Sequence, residues 1–455
     1  MMHLLLVLCA LLVASTAAFG RRAAASSEAG PPAVLWYAPF LSGGGYCSEA
    51  QSYVVAVDAA LDSWSKSAPK RSISASSQAE AAEQSDAMPE QPFELLITQH
   101  GDSLNPSFIQ DLSEGMKSTL ELHWIQERDV SWRLQHRKIA LAICHSEPGA
   151  WEPAHYMTSK CPPGGALYTV GRTMFETDRV PQGWPDRMNK MHEIWVPTKF
   201  QEKVFVDGGV RPEAVKVVPE VVDVAFFDPE KVETPYDLAS ETQFELTEHT
   251  TVYLSIFKWE ERKAWKVLLT AYFQAFEAHE DVVLVLLTNG YHSSSSSAGD
   301  FMNKIEEFAV EAVGKKLHEL PHLHVLPPHI PQEAMPALYK AANAFRPAVA
   351  GTTEYMTEEN SYPLKIDGLI EITEGAFRGH MWADPSVEHL KELLLRVKEF
   401  PEEAAGKGKQ AREDMVAKYS PEIVGEIILE HITRILEIVA AQEEAAASAG
   451  AHEEL

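Results

Sequence analysis

Ala33-Val34-Leu35-Trp36-Tyr37, the loop Ser42-Gly43-Gly44-Gly45-Tyr46 and the run from Ser48 to Leu61 decide the fold of this chain. The first is a short apolar run ended by Pro39, and it predicts a strand. Ser48, with Gln51 three residues on, reads as a capping box. Ala50, Tyr53, Val54, Val57 and Leu61 then recur at helical spacing. Strand, glycine loop and helix in that order make the opening unit of a doubly wound sheet.

Outward from this unit the pattern repeats. Strands are predicted over Phe93–Thr98, Lys138–Cys144, Ala166–Val170, Glu193–Val196 and Val215–Val218. Their apolarity is continuous, which suits strands covered by helices on both faces. Residues 65–92 are rich in Ser, Ala, Glu and Lys without an apolar period and read as a flexible insertion. A second series follows Asp228-Pro229: a strand over Thr251–Phe257, a helix over 264–277, and strands over Val282–Leu287 and Leu323–Leu326. Ser293–Ser297 reads as a loop tip. The expected class is α/β, with two facing Rossmann-like domains over 33–220 and 251–385 joined by a connector over 221–250. Helices over 386–440 are expected to pack back on the first domain, ahead of an acidic tail over 441–455.

A length of 455 residues supports two cores. The formal charge of −27, from 39 basic and 66 acidic residues, argues against a nucleic-acid partner. An anionic small ligand still binds where a few cations and N–H groups gather. Leu4–Val13 followed by Ser15–Ala18 reads as a signal peptide over 1–18, a membrane-anchored or plastid leader being the alternative. The chain ends His452-Glu453-Glu454-Leu455, one conservative change from His-Asp-Glu-Leu. Together the two ends imply the endoplasmic reticulum lumen or secretory pathway, with no transmembrane segment in the mature chain. Cys47, Cys144 and Cys161 remain after cleavage. Cys144 and Cys161 can pair in an oxidising lumen, but buried free thiols are the expectation.

Two histidines follow apolar strands: His100 in Gln-His-Gly-Asp-Ser and His145 in Cys-His-Ser-Glu-Pro. Carboxyl ends of strands face the ligand crevice in such sheets. A histidine there can bond a ligand hydroxyl or accept a proton, which makes His145 a catalytic candidate and His100 a ligand-binding one. The alternative is a strand-end histidine satisfied by loop carbonyls. Gly43, Gly44 and Gly45 let backbone approach a ligand, or form a plain tight turn. Neither histidine has metal-ligand spacing with the cysteines, so no zinc site and no cofactor are expected.

Several stretches together resemble the family-four glycosyltransferases. The most specific is Arg172-Thr-Met-Phe-Glu-Thr-Asp-Arg-Val-Pro-Gln-Gly-Trp184, continuing through Glu193-Ile-Trp-Val-Pro-Thr198. Val218-Pro-Glu-Val-Val-Asp223, Ser255-Ile-Phe-Lys-Trp-Glu-Glu-Arg-Lys-Ala-Trp265, Pro328-His-Ile-Pro-Gln332 and Thr353-Glu-Tyr-Met-Thr-Glu-Glu-Asn-Ser-Tyr-Pro-Leu364 follow in order. The resemblance covers roughly 33–400 apart from the insertion. It implies the GT-B architecture, a nucleotide-sugar donor, a glycan, glycolipid or protein acceptor, and metal-independent transfer with retention. It also implies that Lys258 and Lys263 hold the donor diphosphate, with Lys258 where arginine is usual; the alternative is two surface lysines in a charged turn. Ile330 would stand at the base edge, Glu354 near the donor, and Gly44 and Gly45 on the donor side.

One departure stands out. The family carries two glutamates, E-x7-E, on a helix after a strand and a glycine-rich loop. Here Asn343-Ala-Phe345 runs through Arg346-Pro-Ala-Val349 directly to Ala350-Gly-Thr-Thr-Glu354. Roughly 25 residues of the pattern are absent, far more than a connection of 2–6 residues replaces. Three explanations follow in order: an altered transcript, an inactive relative, or an enzyme with carboxylates supplied elsewhere.

Overall fold

The computed structural model describes residues 30–67, 91–136, 138–242, 245–290, 297–328, 330–347, 354–375 and 377–453. The signal-peptide segment, nearly all of the insertion, most of the Ser293–Ser297 loop and the final two residues lie outside them. Two compact units emerge. The first takes its described residues from 30–175, 180–223 and 418–453, and the second from 176–179 and 224–417.

The first unit holds β1 (Ala33–Ala38), α1 (Gly45–Ser67), β2 (Glu94–Gln99), α2 (Pro106–Asp111), α3 (Glu114–His123), α4 (Glu127–His136), β3 (Ile139–His145), β4 (Tyr168–Arg172), α5 (Trp184–Met188), β5 (Glu193–Val196), α6 (Lys199–Asp207) and β6 (Val215–Val217). The strands form one parallel sheet in the order β2-β1-β3-β4-β5-β6. Along β1, Val34, Trp36 and Ala38 enter one core while Ala33, Leu35 and Tyr37 enter the other. Both faces are covered, which is why the run is apolar throughout. The strand order reverses direction between β1 and β3, the switch point at which such sheets bind ligands.

α1 starts three residues earlier than the Ser48 cap predicted from sequence. Ser48 lies inside the helix, its hydroxyl 3.4 Å from the Gly44 carbonyl, and Gln51 donates to the Phe40 carbonyl at 2.7 Å. The helix also runs through Ser67, so the insertion begins after the predicted residue 65. Cys144 and Cys161 are joined by a disulfide with Cα atoms 5.8 Å apart, and Cys47 is a free buried thiol. This corrects the expectation of free thiols: the loop after β3 folds back and brings the two Cα atoms within bridging distance.

The second unit holds α7 (Leu238–Glu241), β7 (Thr251–Trp259), α8 (Trp265–Ala275), β8 (Val282–Gly290), α9 (Ala298–Ala312), β9 (His322–Val325), α10 (Met335–Lys340), β10 (Ala344–Pro347), β11 (Ile366–Glu371), β12 (Met381–Pro385), α11 (Val387–Glu399) and α12 (Pro401–Tyr419), whose last residues cross into the first unit. Four parallel strands lie in the order β10-β7-β8-β9, and β11 and β12 form a separate antiparallel pair. Residues from Val224 onward belong to this unit, and Leu238 within the predicted connector is buried in it. α11 packs on α8 within the unit. The helix that returns to the first unit is α13 (Pro421–Glu453), with Val424, Ile428, Ile432, Ile435 and Val439 buried on one stripe against α1 and the sheet. Gly425 allows that approach, since a Cβ there would stand 2.1 Å from the Ala56 carbonyl oxygen. Among the described residues, no helix is long and apolar enough to cross a membrane.

Candidate functional site

In the first unit the sheet's carboxyl edge carries a buried polar network centred on Glu49. This residue lies one turn into α1, in line with Tyr53 and Val57 of the apolar face. One carboxylate oxygen accepts from His145 Nε2 at 2.8 Å, and the other accepts from Arg172 Nη2. The indole N–H of Trp36 reaches His145 Nδ1 at 3.3 Å. An indole only donates, so Nδ1 accepts and the ring proton sits on Nε2, facing the carboxylate. His145 is fully buried with both nitrogens engaged.

Burial alone would raise the Glu49 carboxyl, but the charge of Arg172 and then the interaction with His145 overcome it and hold the pKa at about 2. His145 is pushed below its ordinary value by burial, with Glu49 pulling the other way. Arg172 lies 5.2 Å from the Tyr53 ring centroid and keeps two N–H groups, Nε and Nη1, without a protein partner. Glu220, open to solvent by surface area, is pushed up to about 7 by desolvation and then by Glu49.

The glycine loop stands beside this network. Gly43 has φ +74°, and its position packs on the Phe108 ring. Gly44 and Gly45 have ordinary φ, and a Cβ at Gly45 would meet nothing within 4 Å. Neither backbone strain nor internal packing accounts for glycine at those two positions. Tyr46 ties the loop's far end to the chain after β4, its hydroxyl 3.0 Å from Thr173 Oγ1 and donating to the Met174 carbonyl at 3.1 Å.

His100 lies under the loop that the disulfide closes. Its Nδ1 is 3.0 Å from both Ser159 oxygens, and Nε2 has no partner. Burial pushes its pKa down to about 4, with the Ser159 bond opposing. The sequence alternative of a strand-end histidine held by a loop carbonyl describes this side of the ring.

In the second unit, Lys258 lies near the end of β7 and Lys263 in the short 3-10 turn that follows. Four cations, Lys258, Arg262, Lys263 and Lys266, lie in and on either side of the turn. Arg262 is paired with Glu176 and Glu260, and Lys266 with Glu261 at 3.1 Å. Lys258 and Lys263 form no salt bridge among the described residues, although the Glu176 and Glu260 charges act on Lys263. Burial, then the Arg262 charge, pushes Lys263 below its ordinary value, and Lys258 adds to the repulsion. Ala264 closes the turn at φ +51°, the left-handed region, where a non-glycine residue stores strain. Ile330 is half-buried against the cluster around Leu338, and Glu354 lies in a short turn, half-buried. The described residues hold no group of three or more His, Cys, Asp or Glu arranged for a metal.

Sequence reading thus named His145 but missed Glu49 and Arg172. The available signal was a carboxylate in line with Tyr53 on an apolar helix face, together with an arginine ending a buried strand.

No family model matches the chain, and no curated protein matches it. Solved structures do. A glycosyltransferase from Rickettsia africae ESF-5 gives a TM-score of 0.56 at 12% identity, over 89% of this chain and 99% of that one. Anabaena Alr3699/HepE in complex with UDP gives 0.51 at 11% identity, over 89% and 100%. Its complex with UDP-glucose gives 0.52 at 10%, over 88% and 99%. At such identities the likeness speaks for architecture. The chain has the GT-B glycosyltransferase fold, two Rossmann-like units with a C-terminal helix returning to the first.

Proposed function

We propose that this protein transfers a sugar from a nucleotide-sugar donor to an acceptor, with retention of configuration, in the manner of the family-four enzymes it resembles in sequence. The observation that carries the reading is the pair Lys258 and Lys263. Of the four cations around this turn, these two form no salt bridge to a carboxylate among the described residues. Cations without a salt-bridge partner among the described residues, at the end of the first strand of a Rossmann-like unit, suit a diphosphate whose charge grows as it leaves. Gly44 and Gly45 would admit the sugar, Ile330 would face the base and Glu354 would stand near the donor. UDP and UDP-glucose, found in complexes of the fold relative HepE, are the first donors to try. The compartment we propose is the secretory lumen, a reading supported by the Cys144–Cys161 disulfide.

A second reading, donor binding without turnover, is favoured by the sheet of the second unit. Among the described residues it has four parallel strands and ends at β10, where the sequence lacks the glutamate-bearing segment.

Calorimetry with UDP and GDP tests the donor site. Each charge-assisted phosphate contact contributes about 1.5–3 kcal/mol, so Lys258→Ala with Lys263→Ala should weaken binding roughly a hundredfold or more. Unchanged affinity in the double variant moves the site elsewhere. No affinity in the parent chain for either nucleotide removes the donor reading.

A further inference from the structure

We propose that Glu49 is the positioning residue of the first unit's site: its carboxylate locks the glycine loop to the ends of β3 and β4, and His145 is a strut in that lock, not a proton acceptor. This rests on the reading of the loop as the place where the donor's sugar is received.

Hydrogen-bond direction assigns the role of His145. Trp36 can only donate, so Nδ1 is an acceptor and Nε2–H donates to Glu49 at 2.8 Å. The ring keeps no nitrogen for a substrate and has no exposed surface. Glu49 then joins two strand ends at once, taking His145 from β3 on one oxygen and Arg172 from β4 on the other. It lies four residues past Gly45. Tyr46 supplies a second fixing point three residues nearer the loop, on Thr173 and Met174 just past Arg172. Pinned twice, the start of α1 has little freedom to slide. The loop ahead of it turns on Gly43, whose φ is +74°, while a Cβ at Gly44 would meet no side-chain atom closer than 3.6 Å and one at Gly45 nothing within 4 Å. A fixed backbone with an open face is what close approach by a ligand requires.

Charge balance explains why Glu49 matters more than the histidine. Glu49 is the hydrogen-bonded counter-charge of a fully buried arginine. Removing it alone leaves that arginine uncompensated. Replacing both partners by uncharged residues of similar size removes the lock without burying a lone charge. His145→Gln is the complementary change. A glutamine amide can accept from Trp36 and donate to Glu49, preserving the strut while removing the titratable ring.

Two readouts separate positioning from mere structure. Amide hydrogen exchange over 44–48 reports the loop without any ligand, and the affinity ratio of UDP-glucose to UDP reports whether the loop receives a sugar. In Glu49→Gln/Arg172→Met, exchange over 44–48 should rise tenfold or more. UDP affinity should hold within twofold, and the preference for UDP-glucose over UDP should fall at least tenfold. His145→Gln should keep both the protection and the preference within twofold. The proposal is overturned by unchanged loop exchange in the double variant, or by loss of the preference in His145→Gln. If the double variant does not fold, the His145→Gln comparison decides. If the parent chain binds no nucleotide, the donor reading falls and the exchange result alone decides the lock.

Discussion

His100 shows what burial does to one side chain. It is 1% exposed, with Nε2 unpartnered and its pKa pushed down to about 4, so the folded chain keeps it neutral where the unfolded chain protonates it. Between pH 6.5 and 4 the unfolded state therefore binds more protons, and stability falls as pH falls. The lost contribution is about 3 kcal/mol, complete near pH 4. His145, also lowered, adds in the same direction. Glu220, raised to about 7, opposes between pH 4.5 and 7, but its exposure to solvent discounts it. Glu49, held at about 2, contributes from pH 4.5 downward. Urea unfolding at pH 4.5, 5.5, 6.5 and 7.5 checks this. His100→Asn keeps a donor for the Ser159 carbonyl and should flatten the slope below pH 6.5. Identical slopes in both chains would assign the effect to other groups. The lysine pair was named in sequence through the family resemblance, its two members standing five residues apart from the end of a strand into the turn after it. The Glu49 network was not, because its partners lie 96 and 123 residues away and only the closed sheet brings them together.

Strands buried on both faces announce themselves, and strands that are not do not. The predicted runs of the first sheet fall within one or two residues of β2, β3, β4, β5 and β6, since continuous apolarity there comes from helices on both sides. β11 was missed because all six of its residues are exposed and no period of burial marks it. β10 was missed because four residues beside a departure from the family pattern read as connection. Among the described residues these two elements carry exposed apolar side chains. β10 is the last strand of its sheet, and Phe345 on it is 41% exposed. Ile366, Leu369 and Ile370 of β11 are exposed as well. Apolar side chains gathered on free strands are an aggregation liability that a covering βα unit would remove. Inserting a family-like segment of roughly 25 residues between Phe345 and Gly351 should raise the melting temperature and lower binding of an apolar dye. Each preorganised carboxylate it restores is worth about 10²–10³ in rate, so nucleotide release from a donor panel should appear or rise sharply. Turnover of the parent chain equal to that of the extended one would mean the carboxylates come from elsewhere.

At the scale of the whole chain, the last helix makes the first unit a closure of sequence ends. α13 packs on α1, and its Arg434 bonds Glu193 of β5 at 2.6 and 2.9 Å, so the core of this unit is complete only with α13 in place. The disulfide works on the same unit from within. It closes a loop of sequence separation 17, for which chain entropy gives about 3 kcal/mol. That contribution exists only where thiols are oxidised, so the compartment of the chain is written into its stability. The lumenal proposal makes two linked demands. Cys144 and Cys161 are buried, so the chain recovered from its own cells is denatured without reductant and alkylated, then alkylated again after reduction; both should be labelled only in the second step. Removing Glu453–Leu455 should move the chain into the medium, if that ending is read as a retrieval address. The two results separate the possibilities. Oxidised cysteines with unchanged retention would keep the oxidising compartment and discard the tail as its address. Cysteines labelled in the first step would remove the lumen altogether, and the Cys144→Ala/Cys161→Ala chain would then match the parent in stability.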